Sequence, residues 1–275
     1  MSVLKNLVRD CLPPVLVRWL QQLRNTEQIR FEGDFSTWEE ASAHCTGYDT
    51  EEILAKVLAA TLKVKHGEAV FERDSVLFDQ VEYVWPVLTG LMWAAARSGG
   101  RLNVLDFGGA LGSSYFQNRK FLQTLPDLRW NVVEQRHYVA VGRQHIQDER
   151  LRFYESIEEC LTENQPNVIL LSSVLQYLES PTDIIRELNN VGALCLVIDR
   201  TPFSLNRKDK LVIQKVPATI YFASYPMWIF SQSKLEQLLA ENWCMVATNL
   251  SPEGYVRTAG NFEFSFQGML LESNQ

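Results

Sequence analysis

The sequence predicts an α/β protein built on a doubly wound, mostly parallel sheet. Three observations favour this fold class. From residue 102 to residue 199, short apolar runs alternate with segments of helix length, as parallel strands and their crossover helices do. A glycine-rich turn, residues 107–112, directly follows the first of these runs. The last part of the chain has the pattern of a helix, a strand, a turn and a second strand, which predicts an antiparallel end to the sheet.

The composition narrows the class of protein. The 275 residues include 33 acidic and 26 basic side chains, a formal net charge of -7, which argues against a nucleic-acid partner. Five widely spaced cysteines and four histidines form no metal-ligand motif, so we expect neither a disulfide framework nor a bound metal. No leader-like segment is visible, and no apolar run approaches the ~20 residues that span a bilayer. We therefore expect a cytoplasmic protein.

Residues 1–30 are predicted to form a basic amphipathic helical segment. Apolar residues recur in pairs at helical spacing up to residue 23, and five basic side chains stand against two acidic ones. Two uses of this segment stay open. It packs on the protein's own surface, or its basic side contacts a partner or the inner face of a membrane.

Residues 31–97 are predicted to form a helical cap region in front of the main domain, residues 98–275. Residues 36–39 (STWE) have the spacing of a helix-capping box. A longer apolar stretch at residues 76–96 is interrupted by Pro86, which breaks or kinks a helix. No strand alternation is visible here, so we expect three or four helices that cap or shape a ligand pocket.

The main domain is expected to hold seven strands. Five parallel strands are predicted at residues 103–107, 129–134, 151–154, 168–172 and 194–199. Their short apolar runs suit a sheet that is covered on both faces. Intervening helices are expected near residues 115–125, 138–147, 157–163 and 181–190. A helix at 232–242 then leads to strands at 243–250 and 262–271, which we expect to be joined by a turn at 251–254.

The glycine-rich turn, VLDFGGALG at residues 104–112, indicates a ligand site at the carboxyl edge of the sheet. A dinucleotide fingerprint requires glycine at positions 108, 110 and 113, but the last two are Ala110 and Ser113. The D-x-G-x-G-x-G loop that binds S-adenosylmethionine is matched by Asp106, Gly108 and Gly112, with Ala110 at the middle glycine. A plain tight turn is the structural alternative.

Polar residues follow the next two strands. Glu134 ends the second strand, where a carboxylate accepts hydrogen bonds from both hydroxyls of a ribose. Nucleotide sites and S-adenosylmethionine sites both use this device, and an exposed surface glutamate is the alternative. Ser156 follows the third strand, where a polar group commonly meets adenine; a helix N-cap is an equally good role for it.

The segment LLSSVLQYLESP, residues 170–181, is similar to the S-x-V-L-x-Y-L segment that follows strand four in many class I S-adenosylmethionine-dependent methyltransferases. Together with VLDFGGALGSSYFQNRKFL, WNVVEQ, LVIDRTPF and IYFASYPMWIFS, it resembles a family of largely uncharacterised bacterial methyltransferases. Genes of that family are often found near surface-polysaccharide genes. The resemblance runs from the FEGDF segment nearly to the C-terminus, and it implies a Rossmann-like methyltransferase fold and a glycan-related acceptor.

Within this resemblance, several side chains are expected at the reaction end of the site. Ser172 and Gln176 would line the methionine part of the cofactor. Asp199, at the end of the fifth strand, is placed to act as a general base, although an ion pair with Arg200 is the rival role.

The aromatic segment 221–230 is expected to cover the acceptor pocket. It contains Tyr221 and Tyr225, and aromatic faces stack well on sugar rings. Packing of a hydrophobic loop onto the sheet explains the same composition equally well.

The sequence thus predicts a methyltransferase that uses S-adenosylmethionine and a small-molecule or glycan acceptor, with an oxygen or nitrogen as the acceptor atom. The expected cofactor-binding residues are Asp106, Gly108, Gly109, Gly112, Glu134, Ser156, Ser172 and Gln176. The expected catalytic residues are Asp199, Tyr221 and Tyr225. The rival hypotheses are a nicotinamide-dependent sugar oxidoreductase and a non-catalytic protein that kept the fold. The latter would show a pocket too closed for the cofactor, or cofactor binding without turnover.

Overall fold

A computed structural model describes residues 29–46, 51–73, 75–217, 222–258, 260 and 262–274. The strands are β1 (Arg30–Phe35), β2 (Phe71–Arg73), β3 (Val76–Phe78), β4 (Arg101–Phe107), β5 (Asp127–Val133), β6 (Leu151–Tyr154), β7 (Val168–Ser172), β8 (Cys195–Ser204), β9 (Lys210–Val216), β10 (Ala223–Ile229), β11 (Trp243–Arg257) and β12 (Glu263–Ser273). The α-helices are α1 (Trp38–Ser42), α2 (Glu51–Lys65), α3 (Trp85–Arg97), α4 (Ser113–Leu122), α5 (Arg136–Val141), α6 (Ile157–Glu163), α7 (Pro181–Leu188) and α8 (Gln232–Leu239). A π-helical turn, Gly142–Ile146, follows α5, and a 3-10 turn, Leu175–Tyr177, follows β7.

The central sheet has seven strands in the order β11-β12-β8-β7-β4-β5-β6. Strands β4 to β8 pair in parallel, whereas β12 is antiparallel to both β8 and β11. This is the Rossmann-like arrangement of the class I methyltransferases, with its terminal antiparallel hairpin. The predicted fold class is confirmed.

Helices cover both faces of the sheet. Helices α2, α3, α4 and α5 contribute to one buried cluster, and α6, α7 and α8 contribute to another on the opposite face. Residues 168–171 in β7 are fully buried, because side chains of both orientations meet a helical layer. That is why the inner strands were visible in the sequence as continuous apolar runs.

The described part of residues 31–97 contains three helices, in line with the three or four expected, but it also contains strands that the sequence did not predict. Three strands, β1 to β3, lie within or next to this region, beside α1, α2 and α3. Strand β1 pairs with β9, which pairs in turn with β10, to form a second sheet. The aromatic segment after β8 therefore contains a strand, β10, and not only a loop. Strand β1 depends on a partner far along the chain, and β2 and β3 have only three residues each, so local periodicity did not reveal them.

The expected turn at residues 251–254 is also wrong, because β11 continues through it to Arg257. The register between β11 and β12 shifts between Leu250 and Tyr255, so the turn-forming residues are absorbed as a bulge. The chain reverses later, where the backbone N–H of Thr258 donates to the carbonyl of Phe262 at 2.9 Å.

The predicted basic helix at residues 1–30 lies outside the described residues, except for its last two positions. Arg30 begins strand β1. Within the described ranges, no helix is both long and apolar enough to cross a membrane.

Candidate functional site

Backbone strain is concentrated at the carboxyl edge of the central sheet. Three non-glycine residues there have positive φ: Ala110 (48°) after β4, Ser173 (57°) after β7 and Arg200 (50°) within β8. Each such residue costs on the order of 1–3 kcal/mol, and residues of this kind cluster at ligand sites and active sites. Strands β4, β7 and β8 are neighbours, so the strain marks one continuous stretch of the edge.

The glycine-rich turn after β4 has no room for side chains. Gly108 has φ +72°, and a Cβ atom there would overlap the side chain of Val174. A Cβ on Gly109 would overlap the carboxyl group of Asp106. Gly112, with φ +89°, is the N-cap of α4. The turn is therefore packed against Val174, two residues after β7, on one side and against its own acidic residue on the other.

Asp106 is buried beneath this turn, with 1% of its surface exposed. The indole Nε1–H of Trp130 donates to its Oδ2 at 2.9 Å. Burial raises the pKa of Asp106 to about 7, and the Glu134 carboxylate raises it as well, against the indole hydrogen bond and the Arg200 guanidinium. Asp106 is thus a structural element of the turn whose charge is unfavourable.

Glu134 lies where the sequence placed it, just after β5. Its carboxylate accepts the backbone N–H of Gln135 at 2.5 Å and the backbone N–H of Ala110. Burial raises the pKa of Glu134, and these two hydrogen bonds oppose that shift. The carboxylate therefore contacts the glycine-rich turn, which brings two of the predicted cofactor elements together.

A second polar cluster lies at the ends of β7 and β8. The hydroxyl of Ser172 donates to Asp199 Oδ2 at 3.1 Å and accepts from an Arg200 amino group at 3.2 Å. Arg200 Nε lies 3.4 Å from Asp199 Oδ2. The ion pair foreseen as a rival role for Asp199 is therefore present.

A β-bulge in β8 sets the orientation of the side chains in this cluster. Between Ile198 and Thr201, β8 has one residue more than the facing part of β12, which contains Gly268. A Cβ on Gly268 would lie 2.7 Å from Asn249 Oδ1 and 3.0 Å from the carbonyl oxygen of Ile198, so the tight packing at the bulge favours glycine on the partner strand. Bulges commonly redirect side chains next to active sites. Here the bulge contains Asp199 and Arg200.

Two buried acceptors at this edge lack partners among the described residues: Asp199 Oδ1 and Gln176 Oε1. Asp199 is 2% exposed and Gln176 is fully buried. The Gln176 amide N–H groups donate to the hydroxyl of Ser173 at 3.0 Å and to the carbonyl of Arg200 at 3.2 Å. Buried acceptors without donors cost about 1–3 kcal/mol each, which a ligand with N–H or O–H groups would recover.

The remaining predicted residues have other surroundings. Ser156 is the N-cap of α6 and accepts the backbone N–H of Glu159 at 3.0 Å, as its structural alternative foresaw. Tyr221 lies outside the described residues. Tyr225 lies on β10, where its hydroxyl accepts from the amide of Gln214 at 3.2 Å. Gln214 accepts in turn from the hydroxyl of Tyr177, at 3.0 Å, in the turn after β7.

Sequence reasoning missed Gln214 and the hairpin of β2 and β3. Gln214 is an uncharged polar residue directly after the apolar run LVI in the strand KLVIQKV, which is the signal that could have identified it. In the hairpin, Glu72 is 1% exposed and accepts the hydroxyl hydrogen of Ser113, the first residue of α4. No local pattern predicts that contact, because it joins separate parts of the chain.

The hairpin closes a small cavity against the strand ends. The cavity has a volume of about 20 Å³, room for about one water molecule. Its polar lining includes Glu72, Arg73, Ser113, Ser172, Asp199 and Arg200. A larger open groove of about 680 Å³ lies beside β5 and β6, but it contains none of the predicted site residues and is lined by four arginines and three glutamates.

No protein-family model matches the chain, and no curated protein matches it. Solved structures give distant matches. The chain is similar to a 1,6-didemethyltoxoflavin N1-methyltransferase from Burkholderia thailandensis, with 15% identity, a TM-score of 0.40 and coverage of 82% of this chain and 90% of that one. It is also similar to the N-terminal domain of EvdMO1, with 12% identity, a TM-score of 0.45 and coverage of 82% and 98%. Human N-acetylserotonin methyltransferase matches at 12% identity and a TM-score of 0.46, with coverage of 83% and 58%. At these identities the matches carry no information on the substrate.

Replacement of Asp106 by asparagine is expected to change how stability depends on pH. Below its ordinary pKa of 3.8 the carboxyl is protonated in both folded and unfolded chains. Between there and a folded pKa of about 7, only the unfolded chain ionises, so Asp106 costs stability as the pH rises. Asp106→Asn keeps an acceptor for Trp130 and avoids this cost. Relative to wild type, it should gain about 2–4 kcal/mol between pH 4 and pH 7.5.

Chemical unfolding at both pH values measures this difference. Asp79→Asn, at an exposed position, serves as the control and should show no such trend. A stability difference between Asp106→Asn and wild type that stays constant with pH would contradict the buried, unfavourably charged Asp106.

Proposed function

We propose that the chain is an S-adenosylmethionine-dependent methyltransferase. One observation carries this proposal: the glycine-rich turn after β4 and the Glu134 carboxylate after β5 contact each other at the carboxyl edge of the sheet. In doubly wound sheets, adenosine-containing ligands bind at the carboxyl ends of the strands that correspond to β4 and β5. S-adenosylmethionine would supply an electrophilic methyl group there.

The residues at the edge fit such a cofactor. Gly108 and Gly109 let the turn pack tightly on Val174 and on Asp106, and glycine is the residue that turns approached closely by a ligand commonly use. The Glu134 carboxylate matches the two ribose hydroxyls. The unpartnered oxygens of Asp199 and Gln176 match the hydrogen-bond donors of a ligand amino group. Asp106 supports the turn from below, and Ser172 lies beside Asp199.

In this proposal the chain mainly positions the two reactants and excludes water, since methyl transfer is an in-line displacement. Asp199 is the candidate base for the proton of an oxygen or nitrogen acceptor. Its link to Arg200 holds the carboxylate in one orientation. Tyr225 and Tyr221 are proposed on the acceptor side, and the Gln214 bridge joins Tyr225 to the strand ends through Tyr177.

For the acceptor we propose a small molecule with a sugar ring or a surface-glycan precursor. The aromatic side chains of the second sheet support this class. Trp38 and Trp228 stack at a ring distance of 6.3 Å, and Phe222, before β10, is 75% exposed. Apolar aromatic faces of this kind bind the faces of sugar rings.

A cytoplasmic location, with residues 1–30 packed on the chain or held at the inner membrane face, also stays a prediction.

A second candidate function is that of a non-catalytic protein that kept the fold. The observation that favours it is the small cavity beneath the β2–β3 hairpin, because about 20 Å³ is far less than the ~300–1,000 Å³ of a typical ligand pocket. The two functions differ in whether the cofactor binds and whether its methyl group is transferred.

The Glu134→Ala variant is expected to weaken S-adenosylmethionine binding by about 10- to 100-fold, because the two ribose hydroxyls lose the carboxylate that would accept their charge-assisted hydrogen bonds. Isothermal titration calorimetry of the full chain measures this change. Glu241→Ala, at an exposed position after α8, removes the same charge elsewhere and should leave the affinity unchanged. An unaltered affinity in Glu134→Ala would remove the ribose role of this residue.

The acceptor class is tested by methyl transfer from isotope-labelled S-adenosylmethionine. The acceptors would be free sugars, nucleotide-linked sugars and, as a comparison, small aromatic amines. We expect labelled product from a sugar-bearing acceptor and a 10²- to 10⁴-fold lower turnover in Asp199→Asn, the range typical for removal of a general base. Product from the aromatic amines alone would refute the sugar acceptor.

A further inference from the structure

The β2–β3 hairpin places a carboxylate at the start of α4. Glu72 accepts the Ser113 hydroxyl there, and the N-terminus of this ten-residue helix carries a partial positive charge. A carboxylate is stabilised at that position, and so is the anionic end of a ligand. The hairpin thus occupies a place where an anion binds well.

The lining of the same cavity carries a second, independent sign of a ligand. Asp199 lines the cavity, is 2% exposed and keeps Oδ1 without a partner among the described residues. An unpartnered carboxylate oxygen there suits a cationic donor. The cavity lining thus has a positive site at the start of α4 and a negative site at Asp199. An amino-acid zwitterion has the complementary charges, a carboxylate and an ammonium group.

The hairpin is short, and its outer strand β3 is largely exposed. Its two strands have three residues each, and a two-stranded hairpin is marginally stable alone. Its outer residues Val76 and Leu77 are 39% and 41% exposed. Arg73 lies 3.9 Å from a Glu82 oxygen and 3.8 Å from a Glu253 oxygen, and ion pairs at such distances near the surface contribute little.

We propose that Glu72 gates the cofactor site: in the closed hairpin its carboxylate holds the position at the start of α4 that the carboxylate of S-adenosylmethionine takes when the hairpin opens. The ammonium group of the ligand then faces one lone pair of Asp199 Oδ1, which leaves the second lone pair of that oxygen for the acceptor proton. This inference rests on the proposed function, and it accounts for a cavity that is small in the closed structure. Because only open chains bind, the apparent Kd equals the intrinsic Kd divided by the fraction of chains that are open.

The test is the sign of the affinity change in Glu72→Ala. Calorimetric titration with S-adenosylmethionine should show a Kd about tenfold lower than in wild type, because the competing carboxylate is gone. Stopped-flow measurement should show faster association. Glu72→Gln, which keeps an acceptor for Ser113 but loses the charge, should lower the Kd by a smaller factor and guards against misfolding of the alanine variant. Glu68→Ala, an exposed change just ahead of the hairpin, is the matched control and should behave as wild type.

The outcomes separate the gate from the proposed function. Tighter binding in Glu72→Ala than in wild type supports the gate. Weaker binding would make Glu72 a direct cofactor ligand, and unchanged binding would make the hairpin a fixed wall; each result overturns the gate while leaving the proposed function standing. Absence of binding in wild type and all folded variants would overturn both.

Discussion

The site depends on the close approach between the β4 turn and its neighbours. Gly108 lies against Val174, Gly109 lies against the Asp106 carboxyl, and Gly112 lies against Leu151 on β6. Any side chain at the first two positions would push the turn away from β7 or from its buried acid. This packing fixes the spacing between the turn, Glu134 and the end of β7, and so determines what can bind there.

The same edge stores unfavourable free energy. Strained backbone at Ala110, Ser173 and Arg200, a buried acid at Asp106 and unpartnered oxygens on Asp199 and Gln176 all destabilise the folded chain. The helical layers on both faces of the sheet offset this cost, since the strands beneath are fully buried. Strained residues and unpartnered oxygens are expected together at a ligand site, because the hydrogen-bond donors of the ligand satisfy the buried oxygens.

The sequence predicts those features that depend on residues close together in the chain, and it misses those that depend on distant residues. Strands β4, β7 and β8 are buried along nearly their whole length, so each contains an apolar run that local patterning detects. Glu134 and the glycine-rich turn were found because a strand end fixes their place at the edge. Strand β1 depends on β9, and Glu72 depends on Ser113, so neither is visible within a short window. The turn residues at 251–254 misled because a long strand pair absorbed them as a bulge.

The central claim is that the carboxyl edge between β4 and β5 binds S-adenosylmethionine. Native mass spectrometry of the full chain, incubated separately with excess S-adenosylmethionine and with a nicotinamide dinucleotide, tests this most directly. The account predicts one equivalent of S-adenosylmethionine, or of its demethylated product, and none of the dinucleotide. Binding of the dinucleotide alone, or of neither ligand to a folded chain, would contradict it.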